Sequence, residues 1–342
     1  MKFDYKTILV TGGAGAIGTN LVNYLVNLES VKKVIILDNF ISGDILNLND
    51  SSKITLVKGD ITNEIDLKRV FNYKPELVYH LAAFFANQNS VDYPEKDLEV
   101  NILGTLKLLE YSNLSTSVDR FIYASSGCSI YGSESPLPLK EDYFSMYLSS
   151  PYQISKMTGE LYCNFFYKHY GLKVIKARFF NSYGPGELPG QYRNVIPNFI
   201  FWALNQKPLP LTGDNDMTRD FTSVHDIVQG LTKCATSQKA VGEEFNLASG
   251  REIKISDLAK MINKYTNNPS GTITIGRRKW DTKQRILASI KKSEDILGYN
   301  PKKNFEEGLL ETIDWFRNNF EYIEKKANFS VGISSALDTK KV

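Results

Sequence analysis

The residues with the clearest chemical use are Tyr152-Gln153-Ile154-Ser155-Lys156, where a phenol and an ammonium stand four positions apart. On a helix that spacing puts both on one face, one turn apart. A free tyrosine titrates at about 10, too high for a base at neutral pH. A neighbouring ammonium favours the phenolate and is expected to lower that value. Tyr152 then reads as the proton acceptor for a substrate hydroxyl, with Lys156 as its partner. Upstream, the strand-like run Phe121–Tyr123 leads into two hydroxyls, Ser125 and Ser126, suited to hold a hydroxyl or a developing ketone in line. Ser126 and Ser125 are both candidates for that role.

A second constellation lies at the N-terminal end. Thr11-Gly12-Gly13-Ala14-Gly15-Ala16-Ile17-Gly18 follows an apolar run and opens an amphipathic stretch. Gly12, Gly15 and Gly18 suit a tight turn, close approach of backbone to a pyrophosphate, and packing of helix on strand. The N–H groups of a helix beginning at Ala16 and Ile17 would face the phosphates. Asp38, with Asn39 after it, closes the next strand-like run, where a carboxylate accepts from ribose hydroxyls and repels a 2′-phosphate. The expected cofactor is therefore NAD rather than NADP, with Asp60 and Ile61 near its adenine.

These groups need elements to hold them. Ile8–Val10, Val34–Leu37, Ile54–Val57, Leu77–His80, Phe121–Tyr123 and Val174–Ala177 are apolar runs of strand length. Between them, Ile17, Leu21, Leu25 and Leu28, or Leu98, Ile102, Leu106 and Leu109, recur at helical spacing. This alternation predicts an α/β fold, a Rossmann-like doubly wound parallel sheet with helices on both faces. After about Asn181 the texture changes to a Gly- and Pro-containing loop, then a strand-like Glu244–Leu247 and helices near Ser256–Thr266 and Phe305–Asn318. The expected division is a cofactor-binding domain over 1–180, with a return segment near 219–248. A smaller α/β substrate domain then takes 181–218 and 249–328, and 329–342 form a tail.

Composition removes several classes. The chain has 342 residues, with 41 Lys and Arg against 38 Asp and Glu, and the two signs are interspersed. No basic stripe offers a phosphate-backbone footprint, so no nucleic-acid partner is expected. Three widely spaced cysteines, Cys128, Cys163 and Cys234, form no C-x-x-C and no cluster with histidine, so no metal or disulfide framework is expected. No apolar run approaches the roughly 18 residues of a membrane span. The start, MKFDYKTILVTGG, lacks a signal-peptide core. A cytoplasmic location is expected.

With these residues in hand, the chain resembles the extended short-chain dehydrogenase/reductase family, in particular its nucleotide-sugar epimerases and dehydratases. The likeness runs from Thr11 to about Pro301. It includes His80-Leu81-Ala82-Ala83, Asn101 with Gly104-Thr105, Tyr131-Gly132, Arg178–Gly186, Arg219–Asp226 and Leu297–Pro301. The resemblance implies that Leu81, Ala82, Ala83 and Asn101 serve the cofactor and that Lys156 binds its nicotinamide ribose. It implies that Asn181 meets the substrate diphosphate or sugar, and that Arg219 and Arg278 clamp the diphosphate of a nucleotide diphosphate sugar. Phe85, with Phe84, Asn87 and Gln88 just past the His-Leu-Ala-Ala run, either lines the sugar pocket or packs the core. The family's 4,6-dehydratases carry an Asp-Glu pair after the active hydroxyl, and this chain has Gly127-Cys128-Ser129 there. That points to 4-epimerisation through a transient 4-keto sugar with tightly bound NAD. The alternative is a dehydratase or 4-dehydrogenase with a non-standard acid or base in the 126–129 turn, where Cys128 is either a proton shuttle or packing. The resemblance further implies a homodimer paired through the helices around Leu98–Leu109 and Tyr152–Tyr167. Nothing in the sequence reads the base as uracil, thymine or guanine.

Overall fold

The structure, a computed structural model, describes residues 3–213, 217–276, 281 and 283–327. Seven strands, β1 (Thr7–Thr11), β2 (Lys33–Asp38), β3 (Ile54–Lys58), β4 (Leu77–His80), β5 (Arg120–Ser126), β6 (Val174–Phe179) and β7 (Glu244–Leu247), form one sheet in the order β7-β6-β5-β4-β1-β2-β3. Every pair in it is parallel. Each strand contains the apolar run expected for it. Alternate residues feed two cores, because successive side chains in a strand point to opposite faces. Ile8, Val10, Val34 and Ile36 pack with the helices Ala16–Val26 and Val224–Thr236. Leu9, Ile35 and Leu37 pack on the other face with Leu108, Cys163 and Phe166. This is a Rossmann-like doubly wound fold, and the strand order reverses between β1 and β4, where such sheets open a crevice.

A third core joins Phe199, Trp202, Leu258, Ile262, Leu309 and Ile313 from the helices Val195–Leu204, Ile255–Thr266 and Phe305–Asn318. The expected helix over Leu98–Leu109 is not uniform. Leu98–Gly104 is wound as a π-helix, and an α-helix resumes at Thr105–Leu114. The Asn101 side chain is bonded to the backbone of Phe84 on both its oxygen (2.8 Å) and its nitrogen (3.0 Å). Such a widened turn lets a side chain leave the helix for a loop.

Helix Pro151–Phe165 carries Tyr152, Lys156 and Glu160 on one face, and all three are buried. Ser150 caps its N-terminus, accepting from Gln153 N, and Pro151 takes the first turn, where a missing N–H costs nothing. Its far half is tied to the sheet by Arg178 of β6, which donates from Nε and Nη2 to the two Glu160 oxygens at 2.9 and 2.7 Å. The remaining Arg178 nitrogen donates to Tyr131 Oη and Glu141 O, both at 2.9 Å. Tyr131 in turn donates to Asn246 Oδ1 of β7 at 2.6 Å.

A second buried network lies under the glycine turn. Thr105 Oγ1 donates to Asn101 O (2.7 Å), so it accepts from His80 Nε2 (2.9 Å), and His80 Nδ1 then accepts from Thr11 Oγ1 (2.8 Å). The bonding order fixes the neutral Nε2–H tautomer. Burial, followed by the charge of Lys156, pushes His80 down to about 3.

Removing one partner of a buried ion pair strands the other charge, at about 3–5 kcal/mol. Glu160→Gln is therefore expected to lower the unfolding free energy by that amount. Urea titrations followed by tryptophan fluorescence measure it, and a loss below about 1 kcal/mol would refute the anchoring role.

Candidate active site

The crevice between β1 and β4 opens into a cavity of about 420 Å³ running from the glycine turn to the substrate-side core. At one end stand Gly12, Gly15, Ala16, Ile17 and Gly18, with Asp38 and Asn39 after β2 and Asp60 and Ile61 after β3. Gly12 has φ +69°, and a Cβ there would lie 2.6 Å from Ala82 N. A Cβ on Gly18 would lie 2.2 Å from Gly12 O, so helix and turn touch without side chains between them. A Cβ on Gly15 would meet only Gly12 O, at 3.2 Å, and would otherwise stand in the cavity. The turn thus leaves bare backbone at the helix N-terminus, a cradle that fits the pyrophosphate of a dinucleotide. Asp38 Oδ2 and Oδ1 accept from Ala14 N (3.0 Å) and Phe40 N (2.9 Å), and burial pushes its carboxyl up. Asp60 accepts from Asn39 Nδ2 (2.8 Å) and Thr62 N (2.9 Å).

At the middle of the cavity lie Leu81, Ala82, Ala83 and Phe85 after β4, and Ser125, Ser126 and Cys128 at the end of β5. Tyr152 and Lys156 face them from their helix, and Asn181 and Arg219 close the far side. Lys156 Nζ donates to Ala124 O (2.9 Å) and stands 5.7 Å from the Tyr152 ring centre. The Phe85 ring meets the Tyr152 ring edge-on at 5.9 Å. β5 continues through Ser126, whose hydroxyl donates to Ser129 Oγ at 2.9 Å, while the buried Ser125 hydroxyl has no protein partner. A Cβ on Gly127 would lie 1.9 Å from the Phe180 ring, so the turn can follow this path only with glycine there.

Two expectations need correction. Asn101 does not line the cavity: its amide is consumed by Phe84 and by Asp97 Oδ1 (2.7 Å) behind Lys156. The Tyr152 hydroxyl is not lowered by Lys156. Burial pushes it above its ordinary value, with Asp97 and Cys128 adding to the push. Burial also brings Lys156 itself down to about 8, against the pull of Asp97, which weakens it as a cation. Arg278 lies outside the described residues.

Toward the substrate side, Arg219 donates to Thr218 O (2.8 Å) and pairs with Asp281 Oδ1 (3.2 Å). Cys128 Sγ donates to Asn181 Oδ1 at 3.1 Å, and burial pushes the thiol up to about 11. Among the described residues, no group of three or more His, Cys, Asp or Glu is arranged to hold a metal ion.

Sequence reasoning missed several cavity residues. It also missed Asp97, which lies behind the cavity wall on the Asn101 amide and stands four positions before it in the chain. Lys283, on an irregular segment, carries no sequence signal. Nor does the strap over 187–194, where Tyr192 donates to Asp92 Oδ2 (2.8 Å) and Arg193 to Ser42 O, joining the two sides of the crevice. Glu187 in this strap is pushed by burial up to about 7.

Comparison with known proteins agrees with this fold. The model described as the NAD dependent epimerase/dehydratase family matches residues 8–248. A solved epimerase from the pseudomurein-containing methanogen Methanothermobacter thermautotrophicus is 51% identical, with a TM-score of 0.93 over 96% of both chains. UDP-glucose 4-epimerase of Thermotoga maritima, solved with UDP-glucose, is 34% identical, with a TM-score of 0.86 over 92% of this chain and 99% of that one. A putative UDP-glucose 4-epimerase of Methanocaldococcus jannaschii is 36% identical over 91% of this chain and 99% of its own length.

Burial brings Lys283 down to about 8, as it does Lys156. Unfolded, both lysines keep their protons to about 10.4. Between about pH 8 and 9.5 each of these lysines binds more protons in the unfolded chain and adds a contribution to stability that rises with pH, while the buried thiols of Cys128, Cys163 and Cys234, which ionise from about 8.5 once unfolded, act in the opposite direction. The urea midpoint of the wild type minus that of Lys283→Met is therefore expected to grow as pH rises through this range. A constant difference would contradict the burial of that cation.

Proposed function

The chain belongs to the NAD dependent epimerase/dehydratase family, and on that premise we propose that it is a nucleotide-sugar 4-epimerase acting on a uridine diphosphate sugar. The observation that carries this reading is the facing of Tyr152 and Lys156 onto Ser125 and Ser126 across a cavity whose 127–130 turn holds no carboxylate. Bound along the glycine cradle, NAD supplies a reversible hydride acceptor and a positive charge that favours the Tyr152 phenolate. Tyr152 takes the proton of the sugar 4-hydroxyl as the C4–H bond breaks, leaving a 4-keto sugar. It returns the proton to oxygen as hydride comes back to C4, after the ring has turned its other face. Ser126, with Ser125 beside it, holds the oxygen in line. Lys156, fixed on Ala124 O, keeps two N–H donors for the cofactor ribose. Asp38 and Asn39 serve the adenosine end, and Arg219 and Asn181 serve the diphosphate.

Elimination of water would need an acid and a base at C5 and C6. Cys128, protonated and donating to Asn181, serves poorly as a base. Residues 181–218 and 249–328 are read as the substrate-binding part. All three cysteines are free and no helix among the described residues is long and apolar enough to cross a membrane, which supports a cytoplasmic setting.

Leu98, Leu103, Ile154, Leu161 and Phe165 are exposed on two packed helices, an apolar surface supporting a homodimer. The protein is expected to sediment as a dimer at micromolar concentration. Leu103→Glu with Leu161→Glu should sediment as a monomer, and an unchanged dimer would remove this surface from the interface.

In deuterated water, UDP-sugar substrates are expected to give isomers of unchanged mass with no deuterium. Tyr152→Phe should lose about 10²–10⁴-fold in kcat while still binding UDP. A product lighter by water, or one carrying deuterium, would overturn the 4-epimerase reading.

A further inference from the structure

Lys283 has no part in the mechanism above, yet it is among the least expected groups in the cavity wall. Its Nζ donates to Cys128 O at 2.7 Å, and among the described residues no carboxylate oxygen lies within 4.0 Å of it. Asp281, two residues earlier, is turned to Arg219. The charge of Asp281 offsets only part of the cost of taking this cation from water, and burial still lowers its proton affinity. The wall thus holds a desolvated positive group with N–H donors left over after its one hydrogen bond.

Its place says what those donors meet. Cys128 is two residues past Ser126, so the ammonium is fixed on the turn that leaves the catalytic hydroxyls. Arg219 lies on the other side, its Nη1 near Gln284 O (3.4 Å), the residue after Lys283. From Arg219 through Lys283 to Ser126, the cavity passes from the diphosphate end to the reacting end. Lys283 therefore addresses the sugar ring. We propose that Lys283 is a specificity determinant that receives a carboxylate at C6 of the hexose, so that the preferred substrate is a nucleotide-linked hexuronate rather than a neutral hexose. This rests on the 4-epimerase reading and names its substrate class.

The residue type suits the task. A hexose epimerised at C4 must present both faces in turn, so its C6 group cannot keep one fixed pose. An ammonium on a four-carbon stem is a point charge that follows such movement, whereas the planar fork of arginine rewards a single bidentate geometry.

The test compares wild type, Lys283→Met and Lys283→Gln with UDP-glucuronate, UDP-glucose and UDP alone, after thermal melts show both variants folded. Wild type is expected to favour UDP-glucuronate at least tenfold in kcat/KM. Both variants should lower the glucuronate-to-glucose ratio at least tenfold, mainly through KM, with the Kd for UDP within twofold of wild type. Wild type preferring UDP-glucose overturns the assignment and leaves the epimerase reading standing. A parallel loss of UDP affinity gives Lys283 to the diphosphate and also overturns it. If neither sugar is isomerised this inference falls, and the epimerase reading falls with it only if UDP-N-acetylglucosamine is not isomerised either.

Discussion

The Glu160–Arg178 pair sets the frame in which every catalytic distance is measured. Tyr152, Lys156 and Glu160 share one buried helix face, and polar groups on a buried face are tolerated only when each finds a partner. Glu160 finds a forked one, with both oxygens taken, and this fixes the rotation of the helix and its position along β6. Lys156, one turn earlier, then meets Ala124 O, and Tyr152 faces the cavity beside Phe85. Desolvation cancels much of the Coulomb energy of such a pair, so what it contributes here is register more than net stability. The same guanidinium reaches Tyr131, and through it Asn246 of β7, so the edge strand is tied to the same point.

Charge burial shapes the rest of the site. Lys156, Lys283, Asp97 and Glu187 all lie in or behind the cavity, and each has its charged form disfavoured by burial. Such clustering is common where a protein binds charged ligands, because ligand charges complete what the wall lacks. The wall is arranged along the crevice in that sense. Bare backbone and Asp38 occupy one end, the Tyr152–Lys156 pair the middle, and the cations Lys283 and Arg219 the other end.

Much of this was legible in the sequence because it depends on local order. The seven strands follow from short β-branched runs between helical periods, and the cradle from glycine spacing next to a strand and a helix. Tyr152 and Lys156 follow from one helical turn. What escaped depends on contacts between distant segments. Asn101 has a motif-like position, but whether its amide meets a cofactor or the Phe84 backbone is decided by a loop 17 residues away and by a π-turn that no periodicity announces. The Tyr152 hydroxyl was expected to be lowered by its neighbour, and burial, a property of the whole fold, reverses the direction. Lys283 reaches Cys128 across 155 positions of chain, a distance over which side-chain pairing leaves no local trace.

The histidine beneath the cradle has a consequence of its own. Held neutral down to about pH 3 between two threonines, His80 keeps the floor of the glycine turn electrically silent throughout the physiological range. The silence is a property of the folded chain alone. Once unfolded, the same imidazole accepts a proton from about pH 6.5 downward, so acid draws the equilibrium toward the unfolded chain until about pH 3, where the folded form would also be protonated. The feature that insulates the cradle from changes in pH is thus also where acid gains a hold on the fold.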